Sequence, residues 1–283
     1  MKEALYYKRE KDKVRCLLCP NYCLISGDKR GSCGVRINKE GKLYSEIYNR
    51  VTSVALDPIE KKPLYHYHRG EYVLSLGTKG CSFACPWCQN WRISQDINTP
   101  AEGITKEEAV GKAKKHNSFG IAYTYNEPFI WYEFVLECCK LAREAGLENV
   151  FVTNGYINKE PFEKILPYID AMNIDIKSID EYFYKKYCMG KLPPILENVK
   201  TAKEKGVHIE LTNLIIPTLN DSRQSIEKLT DWVAENAGPE TPLHFSRYFP
   251  RYKTSLPATP VSTLEAAKKI GGKKLKYVYI GNV

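Results

Sequence analysis

From residue 72 onward, short apolar runs rich in β-branched and aromatic side chains alternate with longer segments whose apolar positions recur every three or four residues. The runs read as buried strands and the periodic segments as amphipathic helices, so their alternation predicts a parallel sheet covered by helices. Strands are predicted over 72–76, 119–125, 149–153, 171–177, 208–216, 243–248 and 276–280, and helices over 105–116, 129–145, 159–166, 195–205, 221–235 and 263–270. Thr105 with Glu108 three positions on spells a capping box, and Gly146 and Gly206 stand where two helices stop. Six strand–helix units predict an α/β fold, a partial (β/α)6 TIM-like barrel, because a complete eightfold barrel takes roughly 250 residues for itself.

The first seventy residues break this pattern. They are basic, tyrosine-rich and punctuated by Gly27, Gly31, Gly34 and Gly41, with one convincing strand over 43–51. Such a piece lacks the apolar content for its own core and needs a metal staple or docking on the barrel. The expected division is therefore a small cysteine-rich metal-binding region, 1–70, followed by the barrel core, 71–283. No internal repeat or low-complexity tract is evident.

Composition narrows the class. Of 283 residues, 43% are hydrophobic and 27% charged, which describes a globular chain. No stretch approaches the ~18 consecutive apolar residues that spanning a bilayer requires, and the amino terminus carries no apolar signal segment, so a cytoplasmic protein without membrane insertion is expected. The net charge of +9 permits an acidic partner. Its lysines, as over 112–115 and 200–205, fall on helix faces that read as solvated, and no nucleic-acid-binding signature accompanies them, so nucleic acid is disfavoured. The high Lys and Glu share with few glutamines suggests a thermophilic source.

Ten cysteines are what the composition leaves unexplained. In a chain of this length without an export signal, clustered cysteines point to metal more than to disulfides. They sort into four (Cys16, Cys19, Cys23, Cys33), three (Cys81, Cys85, Cys88) and three (Cys138, Cys139, Cys188). The triplet has C-x3-C-x2-C spacing on one loop just after a predicted strand. Three thiolates so placed can bind three irons of a cubane and leave the fourth iron open, the mark of a reactive centre. The competing reading is a zinc site completed by His66 or His68. The leader's four sulfurs permit either a closed tetrahedral zinc site or an auxiliary cubane. Cys138 and Cys139 in a helix, and Cys188 in a loop, read as buried thiols.

The loop Gly80-Cys81-Ser82-Phe83-Ala84-Cys85-Pro86-Trp87-Cys88-Gln89-Asn90 resembles the signature of the radical S-adenosylmethionine (SAM) enzymes. That resemblance implies a barrel of the radical SAM type, a [4Fe-4S] cluster on Cys81, Cys85 and Cys88, and reductive cleavage of SAM to methionine and a 5′-deoxyadenosyl radical. It also implies an electron donor such as ferredoxin or flavodoxin. Trp87 occupies the family's aromatic position beside the adenine, and Asn90 closes the same loop. Tyr125-Asn126-Glu127-Pro128 stands where the family commonly has Gly-Gly-Glu-Pro, so Asn126 and Glu127 are expected at the methionyl ammonium. Thr153-Asn154-Gly155 follows Val152, where activating-enzyme relatives often have Asp. Asp175-Ile176-Lys177 resembles the glycyl-radical-activating branch, with Lys177 expected on the methionyl carboxylate and Asp175 on the ammonium. His244 is a candidate ribose contact and Arg247 a candidate substrate contact.

Several strings narrow the likeness: Cys19-Pro20-Asn21-Tyr22-Cys23, Asp57-Pro58-Ile59-Glu60-Lys61-Lys62-Pro63-Leu64-Tyr65-His66, Cys88-Gln89-Asn90-Trp91-Arg92, and the closing Tyr277-Val278-Tyr279-Ile280-Gly281-Asn282-Val283. With them the chain resembles the radical SAM component of the AmmeMemoRadiSam system, related to pyruvate formate-lyase activating enzymes. Members of that group typically continue into a short tail with another cysteine pair. The expected function is SAM cleavage and hydrogen abstraction from an unidentified substrate. The alternatives are a glycyl-radical activase acting on a partner protein and, in another class, a zinc-stapled nucleic-acid-binding module. An electron carrier with closed clusters is disfavoured by the missing fourth cysteine of the triplet.

Overall fold

A computed structural model describes residues 1–283. At its centre is an eight-stranded sheet whose strands follow chain order: β1 (Ser53–Pro58), β2 (Tyr72–Gly77), β3 (Gly120–Tyr123), β4 (Glu148–Thr153), β5 (Ala171–Asp175), β6 (His208–Ile215), β7 (Leu243–Arg247) and β8 (Val278–Gly281). Strands β2 to β8 are parallel to their neighbours, and β1 runs antiparallel to β2. Each of β2 to β7 is followed by a principal helix: α1 (Lys106–Lys115), α2 (Tyr132–Glu144), α3 (Lys159–Ile165), α4 (Pro193–Glu204), α5 (Arg223–Asn236) and α6 (Val261–Gly271). Since β1 and β8 are edges that do not pair with each other, the barrel stays open, as six strand–helix units require. No helix of the chain is long and apolar enough to cross a membrane.

Local signals set the elements. The Thr105 hydroxyl accepts the Glu108 amide at 3.1 Å while the Glu108 carboxylate accepts the Thr105 amide at 2.7 Å, so α1 begins on the predicted capping box. Helix α2 buries Phe134, Val135, Cys138, Cys139 and Ala142, one face at helical spacing, and Gly146 ends it with a left-handed backbone, φ +76°. The helix predicted over 129–145 opens instead as a 3-10 turn, Pro128–Trp131, where Pro128 sits at the first position without cost because an amide there would have no helical partner. The strand predicted over 119–125 ends at Tyr123, since Tyr125 is left-handed at φ +71°.

The leader docks on the barrel. The strand predicted over 43–51 is broken into Lys42–Ser45 and Arg50–Val51 by a turn that buries Ile47. Short antiparallel sheets, Tyr7–Glu10 with Lys13–Cys16 and Leu24–Ile25, and Lys2–Glu3 with Lys42–Ser45 and Arg36–Lys39, make up the rest. Val14, Leu18, Val35 and Leu43 join the barrel's own hydrophobic core, and a buried Arg36–Glu133 ion pair ties the leader to α2. Strand β1 lies before residue 70, so a division there would cut the β1–β2 pair; the sheet itself begins at Ser53.

The connection from β1 to β2 passes under the amino-terminal ends of the other strands. Its Pro63 carbonyl accepts Asn173 Nδ2 at 2.7 Å and its His66 amide donates to Glu210 Oε1 at 2.7 Å. Beyond them, His68 stacks on Phe119 at 4.0 Å and bonds Glu148 at 3.0 Å. The segment therefore seals the bottom of the barrel and leaves the carboxyl ends as its mouth.

Candidate active site at the carboxyl ends of the strands

The cysteine triplet leaves β2 on a loop shaped by Gly80. That residue has φ +90°, and a Cβ there would lie 2.6 Å from the Cys33 carbonyl oxygen, so only glycine fits between the leader and the loop. Asn126 pins the loop from β3, donating to the Gly80 carbonyl at 2.9 Å and accepting the Thr78 amide at 3.1 Å. The sulfurs meet donors: Cys81 Sγ takes the Phe83 amide at 3.4 Å and Asn154 Nδ2 at 3.7 Å, and Cys88 Sγ lies 3.1 Å from Ser94 Oγ.

All three cysteines line one cavity of about 730 Å³ within the barrel mouth, together with Trp87, Asn90, Asn126, Glu127, Thr153, Asn154, Asp175, Lys177 and His244. Nine residues expected at a cofactor thus come together from five segments distant in sequence. Glu127 is buried and accepts the Phe129 amide at 3.0 Å, Thr153 Oγ1 at 2.7 Å and the Asn154 amide at 2.8 Å. Burial raises its carboxyl to about 7 against those bonds. Lys177 Nζ pairs with Asp175 Oδ2 at 3.0 Å; burial lowers the lysine, but Asp175 and the nearby sulfurs outweigh it and hold it charged. Trp87 packs on Phe183 at 5.4 Å and Tyr187 at 5.9 Å, and Asn90 donates to the Tyr125 carbonyl at 2.7 Å.

Three expectations need correction. Arg247 does not reach the cavity: its Nε donates to the Thr259 carbonyl at 2.8 Å and its guanidinium lies over Phe249 at 4.7 Å. Strand alternation explains this, since His244 and Ser246 face inward and Arg247 falls on the other side. His66 and His68 lie in the bottom seal, bonded to Tyr279 at 2.7 Å and to Glu148, where they cannot complete a zinc site with the triplet. Cys188 is buried as expected but sits in a wide helical turn, Tyr184–Cys188, with its thiol beside Cys85. The neighbouring Cys188 and then burial raise Cys85, while burial raises Cys81 and Cys88. His244 lines the cavity at depth, with Nε2 already committed to Glu210 Oε2 at 2.6 Å.

Three cysteine thiols on one cavity are the donor type a cubane takes, one sulfur per iron. Nowhere do three His, Cys, Asp or Glu side chains converge tightly enough for one metal ion, which holds for the leader's four cysteines as well. A cubane asks for something different: each cysteine binds its own iron, so the sulfurs stand apart around one face. Buried thiols release their protons on ligation, and the sulfur-directed N–H and O–H groups persist as outer contacts.

Residues 75–233 match the family model of the radical SAM superfamily. The chain belongs to the radical SAM superfamily. It is 49% identical, over its whole length and 86% of the relative, to an uncharacterized protein of Methanocaldococcus jannaschii. A pyruvate formate-lyase-activating enzyme of Clostridium pasteurianum is 28% identical over 54% of this chain and 66% of its own. A (2S)-3-sulfopropanediol dehydratase activating enzyme of Klebsiella oxytoca is 25% identical over 52% of this chain and 46% of its own, so the chain spans about half to two-thirds of these activating enzymes. Solved structures share the fold: QueE from Escherichia coli has a TM-score of 0.53 at 12% identity, covering 82% of this chain and 93% of that one. A radical SAM methyltransferase from Sphaerobacter thermophilus has 0.58 at 12% identity, covering 76% and 67%. The family implies a [4Fe-4S] cluster and SAM and makes the chain an enzyme, which displaces the reading as a zinc-stapled nucleic-acid-binding module.

Proposed function

We propose that Cys81, Cys85 and Cys88 hold a [4Fe-4S] cluster with one open iron and that SAM binds across β3, β4 and β5 for hydrogen abstraction from a substrate deeper in the barrel. The observation that carries this is the single cavity on which the three thiols, Glu127 and the Asp175–Lys177 pair all open. When bound, the reduced cluster supplies the electron that cleaves SAM to methionine and a 5′-deoxyadenosyl radical. The chain's own part is orientation and exclusion of water. Glu127, ionised, receives the methionyl ammonium, and Asn154 and Thr153 hold its carboxylate in place. Lys177 turns from Asp175 toward the methionyl carboxylate, leaving Asp175 for the ammonium. Trp87, clamped by Phe183 and Tyr187, lines the adenine end.

Anaerobic reconstitution with iron and sulfide, reduction and addition of SAM should yield methionine and 5′-deoxyadenosine in wild type and not in Cys85→Ala. Equal low yields from both, with a loaded cluster, would refute the reading. A ferredoxin or flavodoxin is the proposed source of the electron in the cell.

Activity as a glycyl-radical activase is a second reading, favoured by the likeness to the activating enzymes; a glycine-centred radical signal on a partner protein would establish it. The leader's Cys16, Cys19, Cys23 and Cys33 are proposed as a second metal site, zinc or iron–sulfur. Their sulfurs lie close enough for their charges to act on one another, and iron, sulfide and zinc analysis decides between cluster and zinc.

A further inference from the structure

The loop that carries the cysteine triplet has two sides. Trp87, Cys88, Gln89 and Asn90 line the cavity, whereas Ala84, exposed, and Pro86, half-buried, do not. All three thiols of the proposed cluster therefore hang from a loop that is itself protein surface. Two segments flank its outer side. One is the wide turn Tyr184–Cys188, whose Cys188 carbonyl accepts the Ala84 amide at 3.0 Å; the other is the connection after β7, whose Lys253 amide donates to the Pro86 carbonyl at 2.9 Å.

Both flanks carry cations seated on aromatic rings. Lys186 Nζ lies 5.0 Å from the Tyr187 ring centroid and 5.4 Å from that of Tyr182, and Tyr187 packs on Trp87 at 5.9 Å. On the other flank, Lys253 Nζ lies 4.9 Å from the Tyr252 centroid. Tyr252, left-handed at φ +59°, stacks on Trp91 at 5.2 Å and 12°, and the Arg92 guanidinium lies 5.7 Å from the Trp91 centroid. Arg92, Lys186 and Lys253 are exposed, with Lys185 and Arg251 exposed beside them, and the three contact rings and no carboxylate. A cation held over a ring keeps its charge, so these positions present positive charge to solvent without a counter-ion. The carboxylates of the same segments are turned to the backbone: Asp96 accepts the Asn98 amide at 3.0 Å, Asp180 the Tyr182 amide at 2.9 Å and Glu181 the Leu192 amide at 2.9 Å.

None of these cations lines the cavity, so a partner held by them sits behind the proposed cluster and leaves the cavity free for SAM and substrate. That position suits delivery of an electron, whereas a nucleic-acid substrate would have to enter the cavity. Redox encounters use small, charge-steered faces, below about 1,200 Å² in total, and a strip of cations across one loop is of that kind. We propose that Arg92, Lys186 and Lys253, around the outer side of the cysteine loop, dock a small acidic electron-carrier protein that reduces the cluster through this loop. One electron leaves the carrier, which is oxidised, and enters the cluster, which is reduced; no bond or proton moves. The proposal rests on the radical SAM reading of the site and adds where its electron enters.

The test mixes the reconstituted enzyme, held anaerobic, with an acidic ferredoxin. Carbodiimide cross-linking, which joins carboxylates to lysines, followed by mass spectrometry should place the links on Lys186 and Lys253. The double variant Lys186→Glu with Lys253→Glu should weaken association, read by calorimetry at low salt, by about tenfold or more and slow ferredoxin-driven SAM cleavage in parallel. Driven by titanium(III) citrate, which needs no docking, the same variant should match wild type, and circular dichroism confirms its fold. Lys112→Glu with Lys115→Glu, on α1, should leave ferredoxin binding unchanged. Links confined to other lysines, unchanged affinity in the folded double variant, or equal weakening by the α1 pair overturn the proposal. So do a double variant slowed as much with titanium(III) citrate and a single-stranded RNA that displaces the ferredoxin. Failure of titanium(III) citrate to drive SAM cleavage in wild type would instead sink the radical SAM reading, while the cross-links still report on the docking face.

Discussion

Glu133→Ala takes from the buried Arg36 guanidinium its only charged partner. Arg36 and Glu133 are 1% and 2% exposed, on the leader and on α2. Glu133 Oε1 accepts Arg36 Nη2 and the Leu5 amide at 2.8 Å, and Arg36 has one other acceptor, the Leu5 carbonyl at 3.2 Å. Truncation strands a buried cation, worth about 3–5 kcal/mol, and orphans the Leu5 amide for about 1 kcal/mol more. That is a large share of the ~5–15 kcal/mol by which a domain is stable. Replacing both partners, Arg36→Met with Glu133→Leu, removes the charge together with its counter-charge and should lie within about 2 kcal/mol of wild type. Urea titration followed by circular dichroism measures the three variants, and limited proteolysis should cut the Glu133→Ala leader first. A Glu133→Ala loss below about 1 kcal/mol, or a double variant as unstable as the single, would refute the account of leader docking.

Three more outcomes are expected. Because burial raises the Glu127 carboxyl to about 7, folding favours its protonated form, so its contribution to stability falls as pH rises from about 4.5 to 7; SAM affinity, which needs the carboxylate, should fall up to tenfold per pH unit below 7, and Glu127→Gln should flatten that dependence in a binding titration. Gly80→Ala places a Cβ 2.6 Å from the Cys33 carbonyl at φ +90°, so it should destabilise the protein by about 2 kcal/mol or more and lower iron loading on reconstitution; unchanged thermal unfolding would contradict the close approach. Cys188→Ala removes a thiol beside Cys85 without removing a ligand of the proposed cluster, so iron content after reconstitution should match wild type. Loss of iron in that variant would make Cys188 a ligand.

Much of the barrel is written in short-range patterns. Alternating apolar runs and periodic segments fix six strand–helix units, and the α1 capping box and the glycine after α2 stand where the sequence puts them. The triplet's spacing also carries its chemistry, since three cysteines on eight residues share one loop however the chain folds. The errors lie where distant segments decide. Strand β1 forms because β2 offers it an edge, and its outward Val54 and Leu56 disguise it in the sequence. Arg247 looked like a substrate contact until alternation along β7 turned it away, a signal that Ser246 and His244 already carried.

The sequence alone therefore determined the parallel α/β architecture, the cysteine loop and the motifs at successive strand ends, because each depends on neighbours within a few positions. Only the tertiary structure decided that Cys188 lies beside Cys85 and that residues 59–68 close the barrel floor. These contacts join residues 100 and more positions apart, and closing the sheet brings them together; no local pattern encodes which side chains meet across its interior.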